Sequence, residues 1–139
     1  MSKKARSEGN RVASAIKSNR AKWYVSDVDL EDSSEDMVTC IDSVKKTLGK
    51  VQSNFLLISA GVTHLIVACS SLEDQDEWLN ESLKDIPYTN KVQNGNVLVL
   101  DADTPFKLKD VVRSNAFSYL RTQGLIQEES EDEDELFDF

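Results

Sequence analysis

Residues 55–69 read FLLISAGVTHLIVAC, and this stretch decides the fold. Residues 55–58 and 64–69 are mainly apolar runs, separated near Ala60 and Gly61. Short apolar runs are typical of buried strands, and a glycine between them favours a turn. We therefore predict two adjacent strands that pair as a hairpin at the centre of a sheet.

The residues before this hairpin indicate a strand and then a helix. Residues 23–30, WYVSDVDL, are rich in strand-forming types and alternate in part, which predicts a first strand. Ser33 or Ser34 caps a helix that Gly49 ends. Its apolar positions recur at helical spacing: Met37, Ile41, Val44 and Leu48.

After the hairpin, Ser70 or Ser71 is expected to cap a second helix that runs through Ile86 and stops at Pro87. Residues 91–97 then carry a hairpin signal, because Asn-Gly supplies the positive φ at both centres of a type I′ turn.

The last predicted helix begins with Thr104 as cap and Pro105 at its first position, and Gly124 follows its end. Leu108, Val112, Ala116 and Leu120 lie along one side of it.

The predicted order is β-α-β-β-α-β(β)-α, which is typical of the α+β class. We expect an antiparallel or mixed sheet of four to five strands with helices on one face. The simplest arrangement is ferredoxin-like βαββαβ with an added C-terminal helix. We divide the chain into a flexible basic arm (1–21), an α+β domain (22–126) and a disordered acidic tail with an aromatic C-terminal hook (127–139).

Composition supports one globular domain with tails, since the chain has 139 residues, of which 40% are hydrophobic and 29% are charged. No apolar run approaches the roughly 20 residues of a membrane span, and no secretory signal is recognisable. Cys40 and Cys69 are the two cysteines and form no C-x-x-C motif. We expect a cytoplasmic protein, or a nuclear one if the source is eukaryotic, and neither secretion nor membrane contact.

Basic residues are concentrated at the start of the chain. The first 22 residues hold Glu8 and seven basic residues, a net charge of +6: Lys3, Lys4, Arg6, Arg11, Lys17, Arg20 and Lys22. A tethered cationic segment binds nucleic acid by displacing counterions, so these residues predict contact with nucleic acid, single-stranded in particular. A solubilising role for the same segment is the alternative.

Catalytic patterns are not found. The sequence lacks the P-loop, the dinucleotide-binding G-x-G-x-x-G, H-E-x-x-H and G-x-S-x-G. His64 and Cys69 are five residues apart in one predicted strand, so their side chains are expected on opposite faces. Cys69 alone is either a thiol activated by the following helix or a small core residue. We predict no catalytic residue, no metal site and no cofactor.

One enzymatic alternative stays open. Asp27 and Asp29 lie on one face of the first strand, and Asp101 and Asp103 follow the last. Such acids could hold Mg²⁺ for phosphoryl transfer, whereas acids where strands become loops are more simply turn formers and helix caps.

The C-terminus carries a run of acid that closes on aromatic residues, QEESEDEDELFDF at 127–139. The acids favour solvation and long-range attraction to a partner, and Leu136, Phe137, Asp138 and Phe139 can enter a partner's pocket.

This tail resembles the acidic, phenylalanine-ending C-termini with which bacterial and phage single-stranded-DNA-binding proteins recruit partners. Its last four residues are also similar to the aromatic C-terminal peptides by which T4-type phage replication and late-transcription proteins engage their sliding clamp. The resemblance is confined to the tail, since three well-capped predicted helices do not suit an OB-fold. It implies a protein partner, such as a sliding clamp or a polymerase, bound through residues 136–139.

These patterns favour a non-enzymatic accessory protein of nucleic-acid metabolism, in replication or transcription. It would recruit a protein through its tail and contact nucleic acid through its arm. The alternatives are an assembly subunit without nucleic-acid contact and a Mg²⁺-dependent phosphoryl-transfer enzyme.

Overall fold

The computed structural model describes residues 3–126. Four helices and five strands follow one another as α1 (Lys3–Asn19), β1 (Trp23–Asp27), α2 (Ser34–Leu48), β2 (Asn54–Ala60), β3 (His64–Cys69), α3 (Asp76–Ser82), β4 (Asn90–Asn94), β5 (Val97–Asp101) and α4 (Pro105–Thr122). The strands form one mixed sheet in the order β1-β2-β3-β5-β4. The predicted α+β class and the C-terminal helix are confirmed.

The hairpin of β2 and β3 forms as predicted. The two strands are antiparallel neighbours, with Leu57 opposite Ala68 and Ser59 opposite Ile66. β3 is the middle strand of the five, and its residues after His64 are all buried. Burial on both sides explains why these strands are continuously apolar rather than alternating.

Helices cover both faces of the sheet, so the expectation of helices on one face is wrong. Leu57 and Ile66 pack in a core with α1 and α2, whereas Leu56 and Val67 pack in a second core with α3 and α4. The ferredoxin-like topology is not confirmed, because β1 and β2 are directly paired, parallel neighbours joined through α2. Strands that are apolar on both faces require this double cover.

The first residues form a packed helix, and the prediction of a flexible arm over 1–21 is wrong for residues 3–19. In α1, Val12 and Ile16 are fully buried, together with the small residues Ala5 and Ala13. Gly9 is buried so closely against α2 that a Cβ would lie 2.6 Å from the main-chain oxygen of Cys40. The buried face relies on small residues, which a search for large apolar side chains misses.

The ends of α2 match the local signals. The Ser33 hydroxyl accepts a hydrogen bond from the Asp36 N–H at 3.1 Å, and Gly49 has a φ of 59° at the C-cap. In α4, Pro105 stands at the start and Gly124 follows the end with a φ of 71°. The Thr104 side chain, however, makes no capping hydrogen bond.

The second predicted helix is shorter than expected, since α3 covers Asp76–Ser82 and does not begin at Ser70 or Ser71. The Gln75 side-chain oxygen accepts hydrogen bonds from the Ser70 hydroxyl and the Ser71 N–H. These hydrogen bonds hold residues 70–75 in turns. The predicted contact of Ser71 with Asp74 is present, since the Ser71 hydroxyl accepts a hydrogen bond from the Asp74 N–H at 3.3 Å.

The hairpin of β4 and β5 is confirmed, but its turn is one residue later than predicted. Asn94 pairs with Val97, which places Gly95 and Asn96 at the centre. Only Gly95 has a positive φ there, at 62°, whereas Asn94 and Asn96 do not. Glycine at the first central position is the pattern of a type II′ turn rather than type I′.

Candidate nucleic-acid interface

Helices α1 and α2 lie side by side and run in the same direction. The Ser43 hydroxyl donates to the main-chain oxygen of Arg6, and the Thr47 hydroxyl donates to the Asn10 side chain at 2.9 Å. Residues further along α1 therefore contact residues further along α2. The C-terminal ends of both helices lie at one end of the molecule.

Strands β1 and β2 begin at this same end. Trp23 pairs with Asn54 in the parallel register. The Asn54 N–H donates to the oxygen of Lys22 at 2.8 Å, and the Ser53 hydroxyl donates to the oxygen of Ala21 at 2.9 Å. The segments that leave α1 and α2 are thus joined directly to each other.

Six basic residues lie in the last turns of α1 and α2 or on the segments that follow them, and we call this surface the basic end: Lys17, Arg20, Lys22, Lys45, Lys46 and Lys50. All six residues are exposed, and none forms an ion pair with another residue in the range 3–126. The negative ends of two helix dipoles lower the electrostatic cost of placing cations there. The result is positive charge left available at the surface.

A polar cleft of about 380 Å³ lies beside the basic end. Among the groups that line it are Lys45, Gly49, Gln52, Ser53, Asn54 and Ser71. The Asn54 side-chain oxygen accepts a hydrogen bond from Gln75 at 2.7 Å, which fixes the wall of the cleft. Asp74 is the one acid among the lining residues.

The seven residues predicted to contact nucleic acid are divided between two regions. Lys17, Arg20 and Lys22 belong to the basic end, whereas Lys3, Lys4, Arg6 and Arg11 lie on the first part of α1. Lys4 is ion-paired with Asp29 at 2.9 Å, and Arg11 with Glu8 at 2.8 Å. Arg6 lines a different cleft together with Asp42 and Lys46, so one cation of the basic end also faces the first part of α1.

The ion pairs of Lys4 and Arg11 also affect their titration. A hydrogen bond to Asp29 raises the pKa of Lys4, and a hydrogen bond to Glu8 raises the pKa of Arg11. Arg11 donates in addition to the main-chain oxygen of Asp27 at 2.9 Å. Lys4 and Arg11 thus make contacts within the folded domain, and the sequence pattern did not predict these contacts.

Sequence reasoning missed Lys45, Lys46 and Lys50 as members of the surface. Lys45 and Lys46 are in the last turn of α2, where cations are explained by the helix dipole alone. Lys50 follows the Gly49 cap. Only the parallel direction of α1 and α2 shows that these lysines lie at the same end of the molecule as Lys17 and Arg20.

The opposite end of the molecule is rich in paired carboxylates. One carboxylate oxygen of Asp27 accepts hydrogen bonds from Lys109 at 3.1 Å and Arg113 at 3.0 Å. The other is buried without a partner among the described residues. This cluster joins the start of α4 to the end of β1, next to a cleft of about 400 Å³ that Phe106 and Arg11 also line.

Three of the four acids considered for Mg²⁺ have different basic partners, and Asp103 forms no ion pair among the described residues. Asp27 contacts Lys109 and Arg113, Asp29 contacts Lys4, and Asp101 contacts His64 at 3.0 Å. Within residues 3–126, no group of three or more His, Cys, Asp or Glu side chains could hold a metal ion. The geometry of these acids lends the magnesium alternative no support.

Asp32 organises the turn between β2 and β3. Its carboxylate accepts the backbone N–H groups of Val62, Thr63 and His64 at 3.0 to 3.3 Å. Burial alone would raise the pKa of Asp32, but the hydrogen bonds from these backbone groups outweigh it and lower the pKa. His64 lies 3.5 Å from the same carboxylate.

The two thiols are buried. Burial raises the pKa of Cys69 to about 11 and that of Cys40 to about 12. Cys69 also lacks the expected helix N-terminus, because α3 begins only at Asp76. In β3 it lies on the face opposite to His64, as the strand alternation predicted. The structure favours the interpretation of Cys69 as a core residue.

The predicted hook at Leu136, Phe137, Asp138 and Phe139 lies outside the described residues. No helix within residues 3–126 is long and apolar enough to span a bilayer. No protein-family model matches the sequence, and no curated protein is significantly similar to it.

Proposed function

We propose that this protein is a non-enzymatic accessory protein of nucleic-acid metabolism that binds a phosphate backbone through its basic end. One observation carries the proposal: six exposed basic side chains without described ion pairs are carried by the C-terminal ends of α1 and α2 and by the segments that follow, which lie at one end of the molecule. Three of these residues come from the predicted basic segment and three from α2 and the loop after it.

A polyanion is the ligand that suits such a surface. Each phosphate that replaces a condensed counterion on nucleic acid adds a favourable, salt-dependent contribution to binding. The cleft beside Lys45 could accept an unstacked base, which favours a single strand over a duplex. Binding through phosphates carries no sequence information, so we expect little sequence preference.

The second half of the proposal concerns protein recruitment. Residues 136–139 combine aromatic rings with a preceding acidic run, a pattern suited to a basic-rimmed apolar pocket on a replication or transcription protein. A sliding clamp or a polymerase is the kind of partner that the tail resemblance supports. Free Cys40 and Cys69 are compatible with a reducing compartment, cytoplasmic or nuclear.

Binding to a fluorescent single-stranded oligonucleotide, followed by anisotropy, tests the basic end. A variant with Lys17, Arg20, Lys22 and Lys46 changed to Ala should bind at least about tenfold more weakly at low salt. The slope of the logarithm of the binding constant against the logarithm of salt concentration should become less steep by about 3, at about 0.7 for each of the four lost phosphate contacts.

The matched control removes four exposed lysines outside the basic end, Lys3, Lys84, Lys91 and Lys107, by the same change to Ala. It should bind nearly as well as the natural chain. Equal weakening by both variants would show a diffuse charge effect rather than a site. If the natural chain and a variant lacking the tail acids both fail to bind any oligonucleotide at low salt, the proposal is wrong and the assembly subunit becomes the better account.

A further inference from the structure

Helix α4 ends at the same end of the molecule as the basic end. Lys109 and Arg113, in the first half of α4, contact Asp27 at the finish of β1. Further along, the main-chain oxygen of Ala116 accepts a hydrogen bond from Trp78, whose ring meets Trp23 at 5.2 Å. The helix therefore runs antiparallel to β1, back toward the residue that follows Lys22.

The lengths of the two elements agree with this direction. From Arg113 to Gln123 a helix advances about 15 Å, and from Asp27 back to Trp23 a strand covers about 13 Å. Ile126 and Trp23 both pack against the same core, which includes Val25 of β1. The described chain thus ends near the start of β1, where the basic end is located.

The sequence that follows has the complementary charge. Residues 128–135 hold seven acids and no base, against six cations on the basic end. An extended chain from residue 126 to residue 135 reaches up to about 30 Å. A domain of this length has a radius of gyration of about 14 Å, so the acids can reach the basic end from Ile126.

We propose that the acidic segment 128–135 binds the basic end of its own chain and competes there with nucleic acid. The contact itself follows from charge and position, while the competition rests on the proposed function. A tethered segment acts at an effective concentration of the order of millimolar, so weak ion pairing suffices. Residues 136–139 follow the acids in the sequence and are not required for this contact.

Zero-length carboxylate–amine crosslinking of the intact protein, followed by mass spectrometry, tests the contact without nucleic acid. At low salt we expect crosslinks from residues 128–135 to Lys17, Lys22, Lys46 and Lys50 within single chains. Lys3, Lys91 and Lys107 serve as exposed reference amines elsewhere. The crosslinks should disappear at about 0.5 M salt, where exposed charges are screened within a few Å.

Two full-length variants test the competition by oligonucleotide anisotropy. One replaces the seven acids of residues 128–135 by their amides and should bind at least about fivefold more tightly than the natural chain at low salt. The other keeps the acids and changes Leu136, Phe137 and Phe139 to Ala, and should bind like the natural chain.

The outcomes separate the two proposals. Crosslinks spread equally over all exposed lysines, or found only between two chains, would overturn the inference whatever the nucleic-acid result. Unchanged affinity in the amide variant, with clear binding by the natural chain, would overturn the competition and leave the proposed function intact. Specific crosslinks with no nucleic-acid binding by any variant would establish the contact and refute the proposed function.

Discussion

At the scale of single residues, Asp32 shows how one carboxylate can hold a turn. It accepts three consecutive backbone N–H groups from the loop between β2 and β3. A side chain at position 61 would meet the Asp32 carboxylate and its backbone, so glycine is needed there for close approach rather than for a positive φ. The charged form of Asp32 is therefore built into the turn between β2 and β3.

This arrangement predicts a specific pH dependence. Because hydrogen bonding outweighs burial and lowers the folded-state pKa of Asp32, its contribution to stability is present above the unfolded-state pKa of about 3.9. That contribution is lost as pH falls through the folded-state pKa. The free energy of unfolding of the natural protein should thus exceed that of the Asp32→Asn variant by a constant amount between pH 7 and 5. This difference, the stability gap, should shrink below about pH 4.

Urea unfolding of both proteins at several pH values measures this gap, and Asp103→Asn, an exposed acid on a loop, provides the reference. A gap that stays unchanged down to pH 3 would contradict the role of the ionised carboxylate.

At the scale of elements, a helix boundary could be predicted from sequence where the contacts that fix it lie within a few residues of it. The limits of α2 and α4 were predictable, since Ser33, Gly49 and Pro105 act within one turn of the helix end. The start of α3 was not, because Gln75 turns back onto Ser70 and Ser71. Helix α1 was missed because small residues form much of its buried face.

The close approach of α1 to α2 gives a prediction in which two effects oppose each other. Gly9→Ala would stabilise an isolated helix by about 1 kcal/mol. Here the new Cβ would lie 2.6 Å from the Cys40 oxygen and 2.7 Å from the Ser43 Cβ, both on α2. We expect a net loss of about 1 to 2 kcal/mol in the free energy of unfolding, because overpacking outweighs propensity.

Ser14→Ala, on the exposed side of α1, is the matched control and should be neutral or stabilising by up to about 0.5 kcal/mol. Chemical denaturation followed by tryptophan fluorescence reports on both variants. Stabilisation by Gly9→Ala would mean that α1 does not pack on α2.

At the scale of the whole molecule, cations without described ion pairs lie at one end of the sheet and paired charges at the other. The cations of the basic end form no ion pair among the described residues. At the opposite end, each of four acids has a hydrogen-bonding or ion-pairing partner: Asp27, Asp29, Asp32 and Asp101. Such a charge distribution orients the protein toward a polyanion before contact, most strongly at low salt. The packing of α1 is part of this arrangement, since it places the C-terminal ends of α1 and α2 at one end of the molecule.

Removal of residues 1–21 should consequently destroy the domain rather than trim a mobile arm. Without α1 the buried side chains of Met37, Cys40 and Val44 lose their cover. We expect a chain that has lost cooperative urea unfolding. A full-length variant with Lys3 and Lys17 changed to Ala keeps α1 and should unfold like the natural protein. A truncated chain of unchanged stability would contradict the packed helix.

Local signals were enough to predict the strands, the central hairpin, α2 and α4, because periodicity, caps and turn residues act over a few neighbouring positions. The same signals identified Lys17, Arg20 and Lys22 as cations but could not tell them from Lys4 and Arg11, which the fold pairs with acids. That distinction depends on contacts between residues distant in sequence. Only the tertiary structure showed that helices cover both faces of the sheet and that α1 and α2 end at the same end of the molecule. The side on which a helix packs and the direction in which it runs depend on contacts throughout the core, which no local pattern contains.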